Sequence, residues 1–328
     1  MIESLCTLLL PLCMQLASPL PAPPLKSYNI DPQGITISGV SSGAFMAVQM
    51  DVAYSATFQG VASVAGGIYW CAEQDAEKAT ENCMKNPAAI DSSIMINKAR
   101  DLSARQKIDD LHHLKNHKVL IYASPKDEVV KMDGGLKLQD FYRAFTPDSR
   151  IEFLSTPETA HGFPTLDRGG PCHTGRLPWI LNCDFDMAGK ILSTFYGLLN
   201  ERGPQDLRNL HRFHQHEFGD AETPLYRDGW VYVPTACAAG APCRLHVALH
   251  GCQMNPDFIQ QRFVSEAGYN EWAERNFIIV LYPQSARDQR GNPYACWDWY
   301  GFTGEDYITQ QGSQPQALMK MIHRLRGL

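Results

Sequence analysis

Short apolar blocks recur along this chain, separated by longer stretches in which apolar and polar residues are mixed. Residues 35–38 (Ile-Thr-Ile-Ser) alternate, while 60–67, 118–123, 151–155, 229–234, 244–252 and 277–283 are rich in Val, Ile, Leu, Ala and aromatic side chains. Blocks of that length with little polar interruption predict strands covered on both faces, as in a parallel sheet. Residues 44–50, 94–114, 135–145, 186–200, 263–275 and 316–326 read as helices. In 186–200 the apolar positions Met187, Ile191, Leu192, Phe195 and Leu198 repeat at helical spacing. Pro315 stands at the first turn of the last helix, where its missing N–H costs nothing. Strands alternating with helices predict an α/β fold, a mostly parallel sheet with helices on both faces. Segment 207–220 is polar and histidine-rich, and it reads as a crossing segment because the strands after it complete the same sheet. One domain is therefore expected over 25–328.

The N-terminus differs in character. Residues 6–16 are apolar and 17–24 are small residues and prolines, the pattern of a secretory signal peptide, although Glu3 replaces the usual basic residue. Residues 1–24 are read as a leader, and the apolar run is too short to span a bilayer. Export to an extracellular or periplasmic compartment is expected, without a stable membrane anchor. The formal charge of −6 and the lack of a basic cluster argue against a nucleic-acid partner. Beyond the leader there are eight cysteines, and six of them form close sequence pairs: Cys71 with Cys83, Cys172 with Cys183, and Cys237 with Cys243. An even count in local pairs fits disulfides in an exported protein. Zinc is the rival, but no C-x-x-C or H-x-x-x-H spacing supports it, so no metal and no cofactor are expected. The insert 69–89, with Cys71 and Cys83, reads as a stapled surface loop, and 172–183 as another.

The chemistry begins at Gly39-Val40-Ser41-Ser42-Gly43, placed between a predicted strand and a predicted helix. G-x-S-x-G in that setting resembles the nucleophile elbow of α/β-hydrolases, where the serine sits on a strained turn. Ser41 is the candidate nucleophile. A serine hydroxyl needs a base and the base needs an orienting carboxylate, in the order Ser, Asp or Glu, His. Asp127 lies just past the 118–123 strand and His161 just past the 151–155 strand, so both stand at strand ends. Glu128 and Asp133 are rivals for the carboxylate, and His173 for the base.

An oxyanion hole needs N–H donors. One falls on Ser42; the other normally comes from a His-Gly loop upstream of the elbow. Here His250-Gly251-Cys252 follows a strand far downstream, and the elements after it are those that usually lead into the elbow. The chain reads as a circularly permuted α/β-hydrolase with its usual first half placed last.

Gly39–Ala47, Asp127, Ala160-His161-Gly162-Phe163-Pro164, 181–184, 245–252 and Cys296-Trp297-Asp298-Trp299 together resemble secreted poly(3-hydroxybutyrate) depolymerases of the permuted, single-domain kind. The resemblance covers roughly 28–328. It implies a serine esterase acting on the polyester or on 3-hydroxybutyrate oligomers, as a monomer without cofactor. It implies a triad of Ser41, Asp127 and His161, oxyanion amides on Ser42 and Cys252, and substrate contact by Trp299, with Trp297 as packing. It also implies disulfides Cys71–Cys83, Cys172–Cys183, Cys237–Cys243 and Cys252–Cys296. The pattern departs from the fungal enzyme at Ala44-Phe45 and around 75–79. A feruloyl or short-chain acyl esterase on the same scaffold is the alternative.

Overall fold

A computed structural model describes residues 22–328; most of the leader, residues 1–21, lies outside the described residues. Eight strands form one continuous sheet in the order β4-β3-β2-β1-β10-β11-β9-β8. They are β1 Ile30–Val40, β2 Gly60–Val64, β3 Lys118–Tyr122, β4 Ile151–Leu154, β8 Leu210–His214, β9 Asp228–Tyr232, β10 Cys243–Leu249 and β11 Ile278–Tyr282. Six neighbouring strands run parallel, and β9 and β8 close one edge antiparallel. The central pair, β1 with β10, joins distant parts of the chain: Ile37 faces Val247 and Gly39 faces Leu249.

Side chains alternate across this sheet. Ile37, Val61, Ile121, Val247 and Leu281 pack on one face with helix α1 (Ser42–Ala53) and the C-terminal helix Ser313–Arg326. Ala62, Leu120, Ala248 and Val280 pack on the other with helices Met187–Tyr196 and Tyr269–Asn276. Both faces are dry, which is why the strands read as apolar blocks. A second sheet joins β5 Phe163–Thr165, β7 Ile180–Asn182 and β6 Gly170–Pro171, all parallel.

Four expectations are corrected. The helix expected over 94–114 is Ser92–Ala104, followed by a 3-10 turn at Leu111–Asn116. It stops where Gln106 turns left-handed, with φ +55°, and the Lys107 N–H folds back to the Leu102 carbonyl; Asp110 then caps the 3-10 turn through the His112 N–H. The helix expected over 263–275 is two, Arg262–Glu266 and Tyr269–Asn276, broken at Gly268, whose φ is +95°. The helix over 186–200 ends at Tyr196, and Leu198 is exposed. The crossing segment 207–220 contains edge strand β8, in which Phe213 alone is buried.

Candidate active site

Ser41 occupies the turn between β1 and α1 with φ 56° and ψ −124°, and its N–H donates to the Val64 carbonyl at 2.9 Å. Two glycines make that turn possible. A Cβ at Gly39 would stand 2.1 Å from the Gly43 carbonyl oxygen, and one at Gly43 would stand 2.3 Å from that of His250. The start of α1 is thereby pressed against the end of β10.

The other two sequence candidates arrive from the ends of β3 and β4. His161 Nε2 lies 3.0 Å from Ser41 Oγ, and His161 Nδ1 lies 2.7 Å from Asp127 Oδ2. An ionised carboxylate only accepts, so Nδ1 carries the proton and Nε2 turns its lone pair to the serine hydroxyl. The second Asp127 oxygen accepts from the Val129 and Val130 amides at 2.8 and 2.9 Å. Asp127 and His161 are both buried. Ser124 joins the two loops: its Oγ accepts from the Thr159 N–H at 2.8 Å and donates to the Thr159 carbonyl at 2.7 Å. Of the rivals, Glu128 and His173 line a neighbouring cavity behind His161, and Asp133 begins the helix Asp133–Arg143.

The small sheet braces His161. Ala160 N–H donates to the Cys172 carbonyl and Phe163 N–H to the Trp179 carbonyl, while Cys172–Cys183 ties the same unit together. All four disulfides implied by the resemblance are present. Cys252–Cys296 pins the loop after β10. In that loop Gly251 is so close to Ser41 that a Cβ would sit 3.1 Å from the serine Cβ. His250 Nε2 accepts from the Ser285 N–H at 3.0 Å, which leaves its proton on Nδ1, facing the Gly251 carbonyl. Burial pushes the His250 pKa down to about 4.

These residues open on a largely apolar cleft of about 530 Å³. Ser41, Ser42, His161, Cys252 and Trp299 all line it. Trp299 is buried but reaches the cleft, stacking on Phe45 with centroids 4.5 Å apart, whereas Trp297 is fully buried against His250 and does not line it. The Cys71–Cys83 segment is more than a surface loop, because Ala76, Ala79, Thr80 and Met84 form part of the cleft wall. Thr80 turns its hydroxyl back to the Ala76 carbonyl at 3.2 Å. Sequence reasoning also missed Trp179, whose ring edge meets His161 at 5.9 Å and whose Nε1 donates to Gln253. Its only sequence signal was its place in the stapled stretch after His161. Among the described residues no cluster of three or more His, Cys, Asp or Glu could hold a metal ion, and no helix is long and apolar enough to cross a membrane.

Comparison with known proteins finds relatives over most of the chain. The family model for the prolyl oligopeptidase family matches residues 25–183. A poly(3-hydroxybutyrate) depolymerase from Delftia acidovorans is 40% identical over 310 residues, 92% of this chain and 61% of that protein's length. A polyhydroxybutyrate depolymerase from Talaromyces funiculosus is 32% identical over 324 residues, 94% of each chain. The crystal structure of the PHB depolymerase from Penicillium funiculosum superposes with a TM-score of 0.87 at 31% identity, covering 93% of this chain and 99% of that one. A serine-to-alanine variant of a PHB depolymerase in complex with an R3HB trimer superposes equally well.

Proposed function

Because the chain belongs to the poly(3-hydroxybutyrate) depolymerase family, a family of serine hydrolases, we propose that it cleaves ester bonds of poly(3-hydroxybutyrate) or its oligomers through an acyl-enzyme. The observation that carries this is the unbroken hydrogen-bonded line Ser41–His161–Asp127 at the floor of an apolar cleft. In this reading Ser41 Oγ attacks the ester carbonyl carbon and its proton passes to His161 Nε2. Asp127 holds the ring in the required tautomer and stabilises the imidazolium. The oxyanion is met by the N–H groups of Ser42 and Cys252. Ser42 opens α1, where first-turn amides have no acceptor within the helix. His161 then gives that proton to the departing ester oxygen, which leaves as a free hydroxyl as the C–O bond breaks. Water, deprotonated by the same ring, cleaves the acyl-enzyme and releases the acid.

A polyester has no charge and no strong donor, so recognition must rest on apolar contact and shape. Phe45, Met84, Trp179 and Trp299 supply such a surface, and Trp299 is assigned to the ester chain. The strand order supports a circularly permuted chain: read from β8 through β11 and then from β1 to β4, it follows one continuous α/β-hydrolase sheet. Residues 25–328 are read as one catalytic domain behind a leader, and the four disulfides support export to an oxidising compartment.

The test combines labelling with products. A fluorophosphonate should modify Ser41 alone, and Ser41→Ala should lose at least roughly 10⁴-fold in turnover while keeping its fold. Incubation with 3-hydroxybutyrate oligomers and amorphous granules should release 3-hydroxybutyrate or short oligomers. Labelling at Ser42, or cleavage of feruloyl and short acyl esters without any of the oligomer, would reject the reading.

A further inference from the structure

Asp298 is fully buried, between two tryptophans of different fate. Its carboxylate gathers four donors from a single turn. Oδ1 accepts from the Gly301 and Phe302 amides at 2.6 and 3.0 Å, and Oδ2 from the Thr303 amide at 2.8 Å and from the Thr303 hydroxyl. Its main chain is clamped from two other elements. Its N–H donates to Gln314 Oε1 at 2.8 Å, at the start of the C-terminal helix, and its carbonyl accepts from Gln49 Nε2 at 2.9 Å. Gln49 lies on α1, the helix that begins beside Ser41.

The segment thus held has no helix or strand of its own. On it, Trp299 stacks on Phe45 of α1, and Tyr300 meets Trp299 edge-on with centroids 5.5 Å apart. The Tyr300 hydroxyl donates to the Gly291 carbonyl at 3.0 Å, closing the wall formed by 291–300. Trp299 and Tyr300 line the cleft; Asp298 does not. A buried carboxylate is costly unless its lone pairs are met. Here they are met by the turn that follows the two aromatic residues.

We propose that Asp298 is a positioning residue: it fixes Trp299 and Tyr300 relative to Ser41 and so sets how tightly an ester oligomer is held, without touching substrate or reacting atoms. This rests on the ester-hydrolase reading above. Asp298→Asn would turn an NH₂ group toward amides that themselves donate, and the turn must open to relieve that conflict.

The experiment compares Asp298→Asn with the native enzyme on a hydroxybutyrate trimer and on p-nitrophenyl acetate. An aromatic contact is worth about 0.5–1.5 kcal/mol, so KM for the trimer should rise about 2- to 10-fold. KM and kcat for the small ester should change far less, and the rate of fluorophosphonate labelling should stay near the native one. Thr303→Val removes one of the four donors and should act in the same direction more weakly; it decides the matter if Asp298→Asn does not fold. Equal losses on both substrates, or an unchanged trimer KM in a folded variant, would overturn the proposal. If the native protein fails to cleave the trimer, the functional reading falls, and positioning is then read from acrylamide quenching of Trp299, isolated by difference from Trp299→Phe. Quenching should increase in Asp298→Asn; no change would overturn the proposal on its own.

Discussion

Ser41 and Trp299 face the same cleft, but they are held there in opposite ways. Ser41 stands at the end of a central strand, in a turn determined by its own neighbours and by the abutting carbonyl of His250. Its partners come from the ends of the next two strands outward but one, β3 and β4. Trp299 stands in irregular chain, kept in place by the Asp298 turn and the Gln49 clamp; the Cys252–Cys296 bridge also pins the loop against Ser41 and so serves the floor. The opposite wall, 76–84, is a short helical stretch, α at Ala76–Lys78 and π at Ala79–Lys85, that hangs from Cys71–Cys83. The reaction floor therefore inherits its geometry from a sheet with many redundant contacts, while the walls depend on a few covalent and polar ties. Damage to the floor should remove chemistry and spare the fold. Damage to the walls should change how substrate is held.

The sharpest test of the floor is Asp127→Asn. The amide can keep its oxygen on the Val129 and Val130 N–H groups, which turns its NH₂ toward His161 and favours the wrong tautomer. Loss of about 10⁴-fold in kcat on a small ester is expected. A loss under tenfold would hand the orienting role to Glu128 or Asp133.

A smaller effect separates two disulfides. Replacing both Cys252 and Cys296 by serine frees the loop that carries the proposed oxyanion amide, and small-ester turnover should fall roughly 10²–10³-fold. The same double change at Cys71 and Cys83 should lower stability by roughly 2–4 kcal/mol and weaken trimer binding while small-ester turnover persists. Equal turnover losses, corrected for folding, would erase the distinction between floor and wall.

Acid provides a third probe, because β10 carries or adjoins two buried histidines. Burial lowers His246 to about 3 and His250 to about 4. In the unfolded chain both take up protons below about 6.5; in the native chain neither does until the pH approaches its lowered value. The stability these two rings contribute is therefore complete above about 6.5 and falls as pH drops, by up to about 1.4 kcal/mol per pH unit for each histidine. Buried His117 works in the opposite sense, because burial lowers its pKa but the Asp51 carboxylate beside it outweighs that and raises it. Urea unfolding at pH 7 and pH 5 measures this. Equal midpoints in a His117→Gln background, which removes the opposing group, would mean that the rings are protonated in the fold, contrary to the Ser285 N–H donating to His250.

The smallest effect is expected at the wall itself. Trp299→Ala should raise KM for the trimer by about tenfold, with a lesser change for p-nitrophenyl acetate and no loss of fold. Unfolding instead would make Trp299 a core residue like Trp297.

The pattern of residues was enough for the floor. The seven predicted runs each overlap a strand of the large sheet, and Ser41, Asp127 and His161 could be chosen because each follows such a run. That works because a buried strand must be apolar on both faces, and polar groups that follow it are delivered to one edge of the sheet. Edge strand β8 escaped notice, since with one buried aromatic, Phe213, it carries no apolar block. The walls were legible only in fragments. Trp299 was selected through resemblance, and the cysteine spacing suggested staples without saying what they carried. That Met84, Trp179 and Trp299 share one cleft was decided by tertiary structure alone: Met84 stands on a helical stretch too short to show a period, Trp179 and Trp299 on irregular chain that has none, and their paths are set by contacts with residues distant in sequence, such as Gln49 with Asp298.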